Sequence, residues 1–281
     1  MGRSPARRYS RPANVNENGA GDLAPAVVPA GVYTEDYYVG CCAGHEEWVR
    51  SGGADASGVY AHCLALAGVA RGDVVLDVGT GRGELLAIAI ERGANRAIGV
   101  EYAEAAIPLA RQTIQQHTLA GRADVILGDA RRLPLPDASV DVVAMLDVVE
   151  HLAPEELTLA LREAHRVLRH SGRVVVHTMP NREIYTVSYR LLRRLWPGGR
   201  RWPSDPRNDM ERLMHVNEQS RGSLHAALEA AGFRNVDVAL GHWIYTDFVP
   251  GASARRVYHW LARFGPTRRF GVGNLLATAS R

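Results

Sequence analysis

Apolar residues recur along the chain in short blocks separated by glycine. Val74, Val75, Leu76 and Val78 form a near-continuous apolar run, the pattern of a strand buried on both faces. Gly79 to Gly83 is a glycine-rich turn, and Leu85 to Ile90 opens a helix that stops at Gly93. The pattern then predicts strands over Ala97–Val100, Ala123–Leu127 and Val140–Leu146, with a helix over Glu104–His117. Pro154 starts the next helix, and Glu155 and Glu156 occupy its first turn, where the helix dipole favours acids. Leu157, Leu161, Ala164 and Leu168 share one face of that helix, which is expected to end before Ser171-Gly172. Val174 to Val176 reads as a fifth strand, and a further helix over residues 57–69 leads into the first. Repeated alternation of strand and helix argues for an α/β fold with a parallel sheet and helices on both faces. Such sheets bind ligands at the carboxyl ends of their strands, so functional residues are expected just after Val78, Val100, Leu127, Leu146 and His177.

Residues 181–218 break the alternation. Tyr185, Tyr189, Leu191, Leu192, Leu195, Trp196 and Trp202 are interleaved there with Arg190, Arg193, Arg194, Arg200 and Arg201. This insertion reads as a substrate lid, as a membrane-surface patch of tryptophan and arginine, or as a nucleic-acid surface. Ser223–Ala231 predicts a helix and Val236–Leu240 a sixth strand; a second insertion, 241–269, carries a helix over Ala254–Phe264, and Gly271–Ala279 reads as the last strand. Residues 1–30 read as a disordered basic tail, with Pro5, Pro12, Pro25 and Pro29 and with Arg3, Arg7, Arg8 and Arg11. Residues 31–56 are expected to form an N-terminal lid and residues 57–180 the core of the domain.

Composition narrows the class. The 281 residues are 46% hydrophobic and 22% charged, the balance of an ordinary globular protein. No apolar run approaches the roughly 18 residues of a membrane span. The basic N-terminus is followed by no apolar stretch, so a secretory signal is not expected. All 33 basic residues are arginine, and the net charge of +3 is too small to call for nucleic acid. Cys41, Cys42 and Cys63 lack metal-site spacing and read as reduced thiols of a cytoplasmic protein.

The turn Asp77-Val78-Gly79-Thr80-Gly81-Arg82-Gly83-Glu84 lets backbone approach a ligand closely. A dinucleotide fingerprint would carry glycine where Glu84 stands. Glu101, about 20 residues on at a strand end, can accept hydrogen bonds from ribose hydroxyls. Asp129 and Ala130 follow the third strand, where an acid and a backbone N–H can read an adenine.

With LDVGTGRGE, GVE, GDARRLPLPDASVDVV, LDVVEHL and REAHRVLRHSGRVVVHTMPN, the sequence resembles the class I S-adenosylmethionine-dependent methyltransferases. Within them it is similar to the branch of ubiquinone-pathway O-methyltransferases and natural-product methyltransferases. The resemblance covers residues 57–181 well and the final strands loosely. It implies a Rossmann-like seven-stranded, mostly parallel sheet with an antiparallel last strand and a helical lid insertion. It implies S-adenosyl-L-methionine as cofactor: Asp77 orders the turn and the methionine amino group, and Gly79, Thr80 and Gly81 pass beneath the cofactor. Glu101 holds the ribose, Tyr102 lies against adenine, Asp129 and Ala130 read adenine, and Leu146 offers backbone to the methionine moiety.

Methyl transfer from a sulfonium leaves the protein to position the acceptor and manage its proton. A hydroxyl acceptor benefits from a base, and histidine is the commonest. His151, His177, His215 and His242 are the candidates, with His151 and His215 favoured and each also readable as structural; Asp147 could orient the acceptor or a histidine, or cap a helix. His177 ends the fifth strand and reads rather as a packed strand residue. Tyr37 and Tyr38 could cover the cofactor or belong to the core. Asp147 and Glu150 are too few carboxylates for a catechol-type metal centre, so no metal is expected. The expected acceptor is a small molecule, methylated on an oxygen of a secondary metabolite, sugar or quinone-like phenol. An N- or C-methyltransferase and a protein or RNA methyltransferase are the alternatives. Peripheral membrane contact stays open, and the oligomeric state is not readable.

Overall fold

The structure, a computed structural model, describes residues 23–42, 45–51, 58–244, 246, 248–263 and 267–281. In chain order the elements are α1 (His45–Ser51), α2 (Gly58–Leu66), β1 (Val74–Val78), α3 (Glu84–Glu91), β2 (Arg96–Glu101), α4 (Ile107–Gln116), β3 (Ala123–Leu127) and β4 (Val140–Leu146). They continue as α5 (Pro154–Val167), β5 (Leu168–Thr178), α6 (Arg190–Leu195), α7 (Asp209–Met214), α8 (Arg221–Ala230), β6 (Arg234–Leu240), α9 (Ala252–Arg263) and β7 (Leu275–Ser280).

The seven strands lie in the order β3-β2-β1-β4-β5-β7-β6. β1 to β5 pair in parallel, and β7 runs antiparallel to both neighbours. The chain winds outward from β1 through β2 to β3, then returns to lay β4 beside β1. That reversal opens a crevice at the carboxyl ends of β1 and β4.

Alternate residues of each strand enter different cores. Leu76, Val78, Val143, Met145, Val174 and Val176 pack on one face against Leu157, Leu161 and Ala164 of α5 and Leu224 and Leu228 of α8. Val75, Val142, Ala144 and Val175 pack on the other against α2 and α3 through Leu64, Leu86 and Ile88. Both faces of the central strands are covered, which accounts for their continuous apolar run.

Several boundaries differ from the pattern's expectation. The helix predicted to reach residue 170 ends at Val167, because Leu168 pairs with Val140 and begins β5. Its buried side chain serves the same core from the strand. The helix expected from Glu104 opens as a short 3-10 turn, Glu104–Ala106, and becomes α-helical at Ile107 beside Pro108. The last strand begins at Leu275 rather than Gly271.

The two insertions pack on each other. Ile184, Tyr185 and Tyr189 of the first meet Phe248, Val249, Ala254 and Tyr258 of the second, with Trp196 and Trp202 half-buried against the cluster. The two tryptophan rings stack at 6.4 Å, so they support this cluster rather than standing out as interfacial anchors. No helix among the described residues is long and apolar enough to cross a membrane.

Residues 1–22 lie outside the described residues, but the expected tail boundary at residue 30 is too late. Val28 is buried, and the Val27 N–H donates to Glu156 Oε1 at 3.0 Å. Apolar Val27-Val28 and the long-range hydrogen bond outweigh the prolines around them.

Leu161 is fully buried between α5 and the sheet. Leu161→Ala should lower the unfolding free energy by about 2–5 kcal/mol. Urea unfolding should show this as a lower midpoint at unchanged slope; an unmoved midpoint would refute the packing role given to α5.

Candidate functional site

The crevice is floored by the turn after β1. Gly79, Gly81 and Gly83 all have positive φ (76°, 52° and 83°), which side-chain-bearing residues rarely adopt. A Cβ at Gly79 would come within 2.6 Å of Val148, so the β4 turn can approach only because the position is glycine. Asp77 is buried and accepts a 2.7 Å hydrogen bond from the Thr80 hydroxyl. Burial pushes the Asp77 carboxyl up to about 7, with the Thr80 bond opposing the shift. Thr80 therefore braces Asp77 with its side chain and also borders the cavity.

Glu101 ends β2 and is 4% exposed. Its Oε2 accepts the Gly81 N–H at 2.8 Å, and its Oε1 accepts the Ala103 N–H at 2.8 Å and the Tyr38 hydroxyl at 3.3 Å. Burial raises its pKa despite these bonds. Tyr102, Asp129, Ala130 and Leu146 all border the same cavity, which holds about 340 Å³. Asp129 is engaged differently from the expectation. Its carboxylate takes the Arg131 guanidinium through Nε and Nη2 and also the Arg131 N–H.

The N-terminal segment roofs the cavity, and two buried arginines hold it there. Arg82 donates to the Tyr38 carbonyl at 2.6 Å and pairs with Glu84 at 2.8 Å. Arg131 donates to the Ala24 carbonyl at 2.9 Å and to Glu156 at 3.0 Å. Tyr33, Tyr37 and Tyr38 thereby line the cavity. Burial raises the pKa of all three phenols, which keeps them neutral. Tyr38 serves both of its candidate roles, packing with Ala103 and Ala106 while meeting Glu101. Sequence reasoning missed Tyr33, Arg131 and Glu156. Only the wide separation of Arg131 from residues 24–28 along the chain hid that latch. Cys42 and Cys63 are free thiols, pushed up to about 11 and about 12 by burial.

The far wall is the turn after β4. Asp147 has φ of +56°, a strained conformation for a non-glycine residue. Its N–H donates to the His177 carbonyl at 2.9 Å, and its Oδ1 lies 2.8 Å from His177 Nδ1. His177 Nε2 lies 3.0 Å from the Asn274 side-chain nitrogen, a donor, which assigns the imidazole proton to Nδ1 and its hydrogen bond to Asp147. His177 is thus the histidine that Asp147 meets, and it is committed on both nitrogens.

Residues Val149–His151 form a 3-10 turn. The Glu150 carbonyl accepts the Asn217 N–H at 3.0 Å, and the Asn217 side chain donates to the Leu152 carbonyl at 2.9 Å. These bonds dock the end of the first insertion on the turn and bring His215 to His151, with ring centroids 4.9 Å apart. Burial, then the neighbouring His215, pushes His151 down to about 4; burial also lowers His215. Both imidazoles are neutral at pH 7, and the Nδ1 atom of each is buried without a hydrogen-bond partner. Glu150 is 1% exposed and accepts the Thr178 hydroxyl at 2.8 Å. Burial, with the Asp147 charge second, raises its pKa well above the usual carboxylate range. His242 does not line this cavity; its ring lies near His62.

The chain is similar to known methyltransferases. Residues 76–176 match the family model described as a methyltransferase domain. A probable S-adenosylmethionine-dependent methyltransferase of Mycolicibacterium smegmatis is 35% identical over 163 residues, covering 58% of this chain and 52% of that one. The ubiquinone/menaquinone biosynthesis C-methyltransferase of Escherichia fergusonii is 27% identical over 186 residues, covering 60% and 70% of the two chains. Among solved structures, the [4+2]-cyclase SpnF superimposes with a TM-score of 0.61 at 20% identity, over 92% of this chain and 97% of that one, a likeness of fold. This chain spans about half the length of the first of these curated relatives.

Arg131→Ala removes the donor to Ala24 and Glu156. Amide exchange at Val27 and Val28 should accelerate by roughly tenfold or more, the loss of about 1.5–3 kcal/mol of charge-assisted bonding. Amides of β1 and β4 should be unchanged. Equal exchange in both proteins would show that the latch does not hold the roof.

Proposed function

We propose that the chain, whose residues 76–176 match the methyltransferase-domain model, binds S-adenosyl-L-methionine under the N-terminal roof and methylates an oxygen of a small-molecule acceptor. The observation that carries the cofactor assignment is the buried Glu101 carboxylate, held at the β2 end beside the Gly81 backbone and facing the cavity. The positive-φ glycines fit a bound nucleoside, because backbone without side chains borders the space. Glu101 takes the ribose hydroxyls, and the 3.3 Å bond from Tyr38 is the weakest of its contacts and the one a ligand hydroxyl replaces. Asp77 faces the amino group, and Tyr102, Ala130 and Leu146 bound the adenine and methionine ends. With Asp129 already bound to Arg131, the adenine end is read chiefly by backbone near Ala130.

When bound, the cofactor supplies an electrophilic methyl group on a positively charged sulfur. The chain must then bring an acceptor into line, exclude water and accept or release a proton. Tyr33 and Tyr37 exclude water from above. Asp147, His151 and His215 stand at the cavity end that Glu101 and Asp129 leave for the acceptor. The two neutral imidazoles have lone pairs available for a hydroxyl acceptor, which is why oxygen is favoured. A carbon acceptor is the second reading, favoured by the activity named for the Escherichia fergusonii relative.

Glu101→Ala should weaken binding of S-adenosylhomocysteine at least tenfold, the loss of roughly 1.5–3 kcal/mol from a charged hydrogen bond. Titration calorimetry reads this directly, and undiminished affinity would overturn the assignment. Asp77 adds a pH dependence. Its protonated form cannot pair with an ammonium group, so affinity should rise as pH increases through about 7. Asp77→Asn should flatten that rise. Methyl-labelled cofactor incubated with small-molecule, lipid, protein and RNA fractions then identifies the acceptor class; label confined to protein or RNA would overturn the small-molecule reading.

A further inference from the structure

We propose that the acceptor end of the cavity is built for a cationic small molecule. The acceptor is a hydroxyl compound that also carries a protonated amine, and the Asp147 carboxylate holds its ammonium group beside the rings of Tyr33 and Tyr37. A row of aromatic rings runs along this part of the cavity. His215 meets His151 at 4.9 Å between ring centroids, and His151 meets Tyr33 at 5.8 Å. Tyr33 meets Tyr37 at 5.5 Å, and Tyr37 meets Tyr38 at 5.1 Å. Every contact in the row is edge-to-face, and all five residues line the cavity. The negative face of a phenol ring attracts an ammonium group.

The charges of the lining point the same way. The Asp147 side chain is 40% exposed, although it sits in a turn tied to β5. Its Oδ1 takes the His177 Nδ1–H, and its Oδ2 has no hydrogen-bond partner among the described residues. Glu211 is a second carboxylate on the lining, accepting from the Tyr185 hydroxyl and the Asn208 N–H. Among the described lining residues, the arginines are Arg82 and Arg131, each buried against a carboxylate. Burial keeps His151 and His215 neutral. An acceptor bearing a carboxylate or phosphate would lose its water here and meet further negative charge. An ammonium gains a carboxylate and aromatic faces instead.

The two groups of the acceptor divide this wall. His151 hydrogen-bonds the Met214 backbone, and its Nδ1 has no partner, so the ring proton sits on Nε2 and Nδ1 keeps its lone pair. That lone pair suits the hydroxyl, while Asp147 suits the ammonium. The inference rests on the methyltransferase reading and names its acceptor class: an amino alcohol, an amino sugar or a hydroxyaryl amine. The cofactor's sulfonium is a second cation in the same cavity, so the test separates the two.

The full chain, saturated with S-adenosylhomocysteine, is titrated with three probes of similar shape: tyramine, 4-ethylphenol and 4-hydroxyphenylacetate. Calorimetry should show tyramine binding roughly tenfold or more tighter than 4-ethylphenol, with 4-hydroxyphenylacetate the weakest. Asp147→Asn removes the charge but still accepts from His177 and tolerates the positive φ. It should abolish the advantage of tyramine while S-adenosylhomocysteine affinity is retained. In the small-molecule fraction, the product carrying the labelled methyl group should be retained by a cation exchanger. Absence of tyramine binding, equal binding of the three probes, or a neutral or anionic labelled product overturns the proposal. If Asp147→Asn weakens S-adenosylmethionine alone and leaves the advantage of tyramine, the carboxylate serves the sulfonium and the proposal again falls. Failure of S-adenosylhomocysteine to bind would instead overturn the methyltransferase reading, and the three probes titrated against the chain alone would still decide the cationic site.

Discussion

The reversal of strand order between β1 and β4 is the constraint on which the site depends. Two adjacent parallel strands whose connections leave in opposite directions cannot both be covered at their carboxyl ends. The gap between them receives Gly79 to Gly81 from one side and Leu146 to His151 from the other. The two turns come so close that Val148 excludes any side chain at Gly79. Close approach, left-handed backbone and a cavity for a ligand are here one geometric fact.

Buried charge then closes the gap. Arg82 and Arg131 lie in different turns of the sheet's carboxyl edge, and each combines a carboxylate partner with a backbone carbonyl of the N-terminal segment. A buried ion pair contributes little net stability against well-packed apolar groups, but it is strict about geometry. Arg82 is tied to Glu84, and Arg131 to Asp129 and Glu156, beside the docked segment. The roof is thus attached to the sheet's carboxyl edge through the Ala24 and Tyr38 carbonyls, the Val27 N–H and the Tyr38 hydroxyl.

The opposite end of the cavity is built by a different economy. Asp147 and His177 are fully engaged with each other and with Asn274. Their pairing links β4, β5 and β7 and holds the strained turn that presents Glu150 and His151. The insertion then delivers His215 from more than sixty residues away, through Asn217. The fold thus keeps one histidine saturated to fix the scaffold and leaves two others with unspent lone pairs.

The strands, their order of chemistry and the cofactor half of the site were legible in the residues themselves. Short continuous apolar runs bounded by glycine mark strands covered on both faces, and Gly79, Gly81 and Glu101 sit at fixed offsets from two such runs. These are local relations, set by backbone conformation and burial within a few residues, so a linear pattern records them. The ends of elements were less legible: Leu168 is equally apolar as the last residue of a helix or the first of a strand, and only pairing with Val140 decided it. The acceptor half was illegible for the same reason on a larger scale. Nothing in the spacing of His151 and His215 says that they touch, that His177 is the one Asp147 meets, or that Arg131 reaches Ala24. Those contacts cross segments whose separation along the chain carries no periodicity. The sequence determined the fold and the residues that bind beside its strands; only tertiary packing decided which side chains face one another across the cavity.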